Sequence, residues 1–198
     1  MAKLYFRYGA MGCGKTMQLL QVAFNYEERG HKVFVMKPKT DTRREMKLWT
    51  RIGPEREVDF CFSKTDDLFS IVSKAFKKSK FSCVLVDEAQ FLTSIQVDEL
   101  MEVVTEMDIP VMAYGLRLNF RLTDGGFEGA TRLLQIAHDI DEIKTICECG
   151  RKATCNSRFL NGKFVSDGPD VLIDDGSSKI EYRALCPKCY AEYKAGKK

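Results

Sequence analysis

Eight residues near the amino terminus constrain this chain more than any others. Gly9-Ala10-Met11-Gly12-Cys13-Gly14-Lys15-Thr16 satisfies G-x-x-x-x-G-K-[ST] at every fixed position. Glycines at those places let the backbone curl so that successive N–H groups face a polyphosphate. Lys15 can then reach the β- and γ-phosphates, and Thr16 offers a hydroxyl to Mg²⁺. Such a loop works between a strand and a helix, with the helix N-terminus aimed at the same anion. Residues 4–8 read as that strand. Residues 16–29 carry apolar side chains at helical spacing, with Gly30 as the stop. The dinucleotide fingerprint G-x-G-x-x-G is not matched, which argues against a nicotinamide enzyme.

The alternation continues beyond the loop. Residues 32–36, 83–86 and 109–114 are apolar and β-branched runs, read as strands. Residues 67–77 and 94–107 read as helices. This pattern implies βαβ units and a mostly parallel sheet covered on both faces. The expected class is α/β, and the nucleotide-binding part is expected to span residues 1–144.

The strand at residues 83–86 ends in Asp87-Glu88. Ligands of open α/β sheets bind at the carboxyl ends of strands. Asp87 is therefore the expected Mg²⁺ partner, and Glu88 is free to act as a general base. The pair alone does not separate a kinase from an ATPase. A core with one small module that could cover an acceptor favours the kinase.

Composition changes near Thr145. Turn signals appear at Asn161-Gly162, Asp167-Gly168-Pro169 and Asp175-Gly176, and five of the eight cysteines lie beyond residue 146. Residues 145–198 read as a small β-rich module with a frayed tail at residues 194–198. Cys186-Pro-Lys-Cys189 has the C-x₂-C spacing of half a structural zinc site. Cys147-Glu-Cys149 is one residue short, so its two sulfurs converge only at a turn, which Gly150 can supply. Cys155 is a second candidate for the fourth ligand. The histidines, His31 and His138, lie outside the module, and four thiolates leave no open position, so the zinc is expected to be structural.

The net charge of +3 is too near neutral for a general nucleic-acid binder. No apolar run approaches the ~18 residues of a membrane span. Met1-Ala2-Lys3-Leu4-Tyr5 opens no secretory leader, so a cytoplasmic address is expected.

The order of these motifs resembles the type II thymidine kinases. The resemblance rests on Gly9–Thr16, Asp41-Thr-Arg43, Thr50-Arg-Ile-Gly53, Asp87-Glu-Ala-Gln-Phe91, Tyr114-Gly-Leu-Arg117 with Phe120, Phe127-Glu-Gly129, the two cysteine pairs, and Tyr182. Any one is weak; together they span nearly the whole chain in family order. The resemblance implies a RecA-like P-loop core and a zinc-stapled lid whose long loop folds over the nucleoside. It implies transfer of the γ-phosphoryl of ATP to the 5′-hydroxyl of thymidine, and often of deoxyuridine. Gly9, Ala10, Met11, Gly12, Cys13, Gly14, Lys15 and Thr16 would hold ATP, together with Asp87, Glu88, Ala89 and Gln90. Thr16 and Asp87 would support Mg²⁺. Glu88 would take the proton of the 5′-hydroxyl. Met11, Phe91, Leu116, Phe120 and Tyr182 would border the nucleoside, with Arg51 near the phosphates. Cys147, Cys149, Cys186 and Cys189 would hold Zn²⁺. The resemblance also implies a homotetramer. Without it, Phe91, Leu116 and Phe120 would read as core, and Arg51 and Arg117 as solvated charges.

Three segments depart from the family pattern. Ile173-Asp174-Asp175-Gly176 replaces an Ile-Gly-Gly turn, and Leu122-Thr-Asp-Gly-Gly126 is longer than usual. Asn156 stands where apolar residues or Thr are common. A pocket-facing amide there would change selectivity at the 5-methyl group of the base. Two other readings remain: a P-loop ATPase or kinase of a different nucleoside, and a nucleic-acid module built on the cysteine pairs.

Overall fold

The computed structural model describes residues 1–40, 46–50, 53–122, 126–169 and 179–198. Six strands form one sheet: β1 (Leu4–Tyr8), β2 (Val33–Pro38), β5 (Phe60–Phe62), β6 (Cys83–Val86), β7 (Val111–Gly115) and β8 (Asp139–Glu142), with β3 (Lys47–Trp49) and β4 (Glu55–Glu57) pairing separately. The order is β5-β2-β6-β7-β1-β8, and every pairing is parallel. Strands buried on both faces need continuous apolar runs, and Cys83-Val-Leu-Val86 is buried at every position.

Side chains alternate between two cores. Leu4, Phe6, Phe34, Met36, Val84, Val86, Val111 and Ala113 point to one face. There they meet α2 (Leu68–Lys78), α3 (Ser94–Met107) and α4 (Glu128–Ile136). Val33, Val35, Cys83, Leu85 and Tyr114 point to the other, against Leu19, Leu20 and Ala23 of α1 (Lys15–Glu27). Local chemistry sets the helix starts. Asp67 accepts the Ser70 N–H at 2.8 Å ahead of α2. Thr93 and Gln96 form a reciprocal capping box ahead of α3.

The carboxyl-terminal region holds a hairpin of β9 (Thr145–Ile146) and β10 (Lys152–Ala153). It also holds an antiparallel sheet of β12 (Lys163–Val165), β11 (Cys155–Leu160) and β13 (Ile180–Leu185). It ends in α5 (Pro187–Lys194), which the reading of a β-rich module did not include. Cys186 caps this helix through its sulfur, and Pro187 opens it. Phe159, Phe164, Tyr190 and Tyr193 pack edge-to-face between α5 and the sheet. The tail is not frayed as expected. Lys197 N–H donates to the Glu192 carbonyl, and Lys198 Nζ lies 3.1 Å from Glu148. No helix among the described residues is long and apolar enough to cross a membrane.

Candidate active site

The phosphate loop joins β1 to α1, as its sequence requires. Gly12 and Gly14 stand at φ 72° and 89°, conformations that carry a Cβ penalty. The loop is closed by Cys13 N–H to the Ala10 carbonyl and Gly9 N–H to the Gly115 carbonyl, both at 3.3 Å. The first turn of α1 contains no acidic residue and no side-chain cap, so its N–H groups and dipole are left for an anion. Lys15 is buried and folded back, with Nζ 3.1 Å from the Ala10 carbonyl.

The strand order puts the acid pair across from this loop. β7 lies between β1 and β6, so the ends of β1 and β6 are one strand apart. Thr16 Oγ1 donates to Asp87 Oδ2 at 3.0 Å over that gap. Asp87 is 3% exposed, and its other oxygen, Oδ1, is buried with no hydrogen-bond partner among the described residues. A buried carboxylate oxygen without a partner is costly, and beside the Thr16 hydroxyl it forms a donor set that a divalent cation fits.

Burial, and then the neighbouring Glu88 charge, raise the Asp87 carboxyl to about 7, against the pull of the Thr16 hydrogen bond. Its folded value lies above its unfolded one. The stability it contributes is therefore complete at low pH and is lost as pH rises through about 7. Asp87→Asn is expected to raise the melting temperature of the metal-free protein by several degrees at pH 8, on a scale of roughly 2–4 °C per kcal/mol. The gain at pH 5.5 should be smaller. Melting curves of both proteins in chelator at the two pH values check this; an equal shift at both would mean the charge is not the cause.

Glu88 follows in a left-handed conformation, φ 50°, and is half-buried. Its Oε2 accepts from Gln90 Nε2 at 2.6 Å. Gln90 is 2% exposed, and its Oε1 accepts the Leu116 N–H at 2.9 Å. The single 3₁₀ turn Ala89–Phe91 thus sits tightly against the end of β7. A Cβ on Gly115 would meet Gln90 Oε1 at 2.9 Å. Gly129 opens the same turn to α4, since a Cβ there would meet the Leu92 carbonyl at 2.5 Å. These close approaches account for the glycines in Tyr114-Gly-Leu-Arg117 and Phe127-Glu-Gly129.

The expected pocket residues fall into three groups. Leu116 is buried beside Gln90, and Phe91 packs edge-to-face on Phe127 at 5.6 Å. Phe120 is 3% exposed and lies under the Arg158 guanidinium at 3.8 Å, while Tyr182 pairs with Arg158 across β11 and β13. Met11 forms the third group, its N–H donating to Asn156 Oδ1 at 2.8 Å. Arg51 lies outside the described residues, as do residues 41–43 of the family motifs and, of the segments that depart from the family pattern, residues 123–125 and 173–176.

The cysteines converge. The Sγ atoms of Cys147, Cys149, Cys186 and Cys189 all lie within 4.8 Å of one another, with Cys149 and Cys186 at 3.6 Å. Tetrahedral zinc with ~2.3 Å bonds would set sulfurs about 3.8 Å apart, so the cluster fits that ion. Gly150, at φ 81°, donates its N–H to the Cys147 carbonyl and makes the turn that the C-x-C spacing requires. The Arg151 backbone N–H lowers the Cys149 thiol to about 6. Cys155 is buried outside this set.

The model of the family described as thymidine kinase matches residues 2–190. The chain belongs to the thymidine kinase family. The thymidine kinase of Francisella tularensis subsp. holarctica (strain LVS) is 43% identical over 196 residues, spanning 97% of this chain and 98% of its own length. That of Legionella pneumophila (strain Lens) is 45% identical over 200 residues, spanning 100% and 93%. Among solved structures, one described as an ATPase domain aligns with a TM-score of 0.52 at 14% identity, covering 95% of this chain and 82% of that one. That likeness is one of fold alone.

In this thymidine kinase family member one residue escapes sequence reasoning and another takes an unexpected role. Arg158 is 1% exposed, donating to the carbonyls of Pro169 and Asp167 at 2.6 Å. A lone arginine in a strand reads as a solvated charge, and its partners are backbone carbonyls that no residue type announces. Asn156, expected at the pocket, instead has each end of its amide bonded to main chain, Oδ1 to the Met11 N–H and Nδ2 to the Leu118 carbonyl.

Proposed function

We propose that this chain is an ATP-dependent thymidine kinase, forming dTMP and ADP for DNA synthesis. Membership of the thymidine kinase family carries the reading. The phosphate loop facing Asp87-Glu88 supports it.

In this mechanism the loop amides and Lys15 bind the β- and γ-phosphates. Glu88 orients the 5′-hydroxyl of thymidine and takes its proton. The hydroxyl oxygen forms a bond to the γ-phosphorus as the bond to the β–γ bridging oxygen breaks, and ADP leaves. Gln90 holds the Glu88 carboxylate in place for that transfer. Mg²⁺ would be held by Thr16 and Asp87 and would neutralise charge on the β- and γ-phosphates. Zn²⁺ would be held by Cys147, Cys149, Cys186 and Cys189 as a cross-link. Phe91, Leu116, Phe120, Tyr182 and Met11 border the nucleoside, with Arg51 near the phosphates. We assign residues 1–144 to nucleotide binding and 145–198 to a lid that excludes water during transfer. A cytoplasmic homotetramer acting on small molecules, with no nucleic-acid or membrane partner, completes the reading.

The test is ADP release from ATP·Mg²⁺ with a panel of nucleosides and a control with none. Release is expected to require thymidine, with deoxyuridine as the secondary acceptor. Nucleoside-independent release would replace the kinase reading with an ATPase.

A further inference from the structure

We propose that Asn156 is a positioning residue for the phosphate loop, tying that loop to the cysteine-bearing sheet. The inference rests on the kinase reading and adds to it a residue that holds the nucleotide site in shape.

The geometry is a two-ended clamp. Asn156 is 3% exposed within β11. Its Oδ1 accepts the Met11 N–H at 2.8 Å, and its Nδ2 donates to the Leu118 carbonyl at 2.7 Å. Both partners are main chain, so the clamp fixes backbone position whatever side chains Met11 and Leu118 carry. The loop's own backbone bond, Cys13 N–H to the Ala10 carbonyl, is longer, at 3.3 Å. A glycine-rich loop has many conformations to lose when it closes on phosphates. An outside tether at Met11, between the fixed positions of the motif, removes part of that loss before the nucleotide arrives.

The anchor end is rigid. β11 is the central strand of its sheet, and Asn156 pairs with Ala184 of β13. β13 ends at Leu185, directly before Cys186 of the sulfur cluster. A continuous path therefore runs from the cluster through two paired strands to the loop. Asn156 also lines the crevice behind the loop with Tyr8, Ala10 and Leu118. With one end accepting from the backbone and the other donating to it, the orientation of the amide is set by the loop, so its replacement is expected to register in nucleotide binding and not in the choice between nucleosides.

The test uses the full-length protein and Asn156→Val. A β-branched side chain suits a strand and removes both hydrogen bonds. Affinity for a fluorescent ADP analogue, and the KM for ATP, should weaken about tenfold, the scale of one buried N–H left unpaired. The ratio of kcat/KM for thymidine over deoxyuridine should stay as in the wild type. Unchanged nucleotide affinity would overturn the proposal, as would a shifted ratio with nucleotide affinity intact. Should the variant lose its melting transition, amide hydrogen exchange of the wild type decides. The Met11 amide is expected to be protected without nucleotide, and exchange at the rate of an open loop would overturn the proposal. A wild type that binds no ATP at all would instead remove the kinase reading.

Discussion

Glu88→Gln is expected to lower the turnover of thymidine by about 10²–10⁴-fold, the usual contribution of a positioned general base. Nucleotide affinity should stay near wild type, and the protein should remain folded. The substitution preserves volume and removes charge and basicity. Glu88 is held by its own left-handed backbone and by the Gln90 amide at 2.6 Å, and a glutamine carbonyl oxygen can still accept that bond. What is lost is the ability to take a proton from the 5′-hydroxyl. Steady-state turnover beside ADP-analogue binding checks this. Near-normal turnover would move the base to another group.

Cys186→Ser is expected to abolish stoichiometric zinc and to remove the cooperative folding of the carboxyl-terminal region. Structural zinc contributes about 10–16 kcal/mol in small metal-folded peptides, as much as the whole stability of many domains. Cys186 would be the ligand with most at stake. Its sulfur lies 3.6 Å from Cys149, and it also accepts the Cys189 N–H at the start of α5. Through Tyr190, whose hydroxyl donates to the Phe120 carbonyl at 2.8 Å, that helix also supports the segment after β7. Thymidine phosphorylation should therefore fall with the metal. Cys155→Ser is the control: this thiol is buried outside the cluster, so one zinc per chain should remain. Metal analysis of the purified, reduced proteins reads both results, and full zinc in Cys186→Ser would sink the assignment.

The parts of this site that are legible in the sequence are those where backbone geometry demands particular residues. Gly12 and Gly14 must tolerate positive φ, and Asp87 must end a buried strand, so both announce themselves locally. The strands Leu4–Tyr8 and Cys83–Val86 and the helix Ser94–Met107 lie where apolar spacing puts them. β11 does not yield in this way. Asn156, Ser157 and Arg158 are consecutive buried polar residues whose partners lie up to 145 positions away. No periodicity encodes such partners. α5 carries a signal in Cys186-Pro187, an N-cap followed by proline, but its eight residues show little amphipathic pattern. The cysteine spacing reads as metal chemistry and hides the helix that it begins.

The glycines around the site also limit how this enzyme can diverge. Gly12 and Gly14 face open space and are constrained only by backbone angle, a restriction that asparagine can partly meet. Gly9, Gly115 and Gly129 are different: a single added carbon would fall 2.5–2.9 Å from a neighbouring atom. Backbone packs on backbone at Gly129, so no rearrangement of side chains makes room. Lineages that descend from this chain cannot drift through Gly9 or Gly129 without moving the backbone that meets them, whereas at Gly115 the Gln90 side chain must give way first.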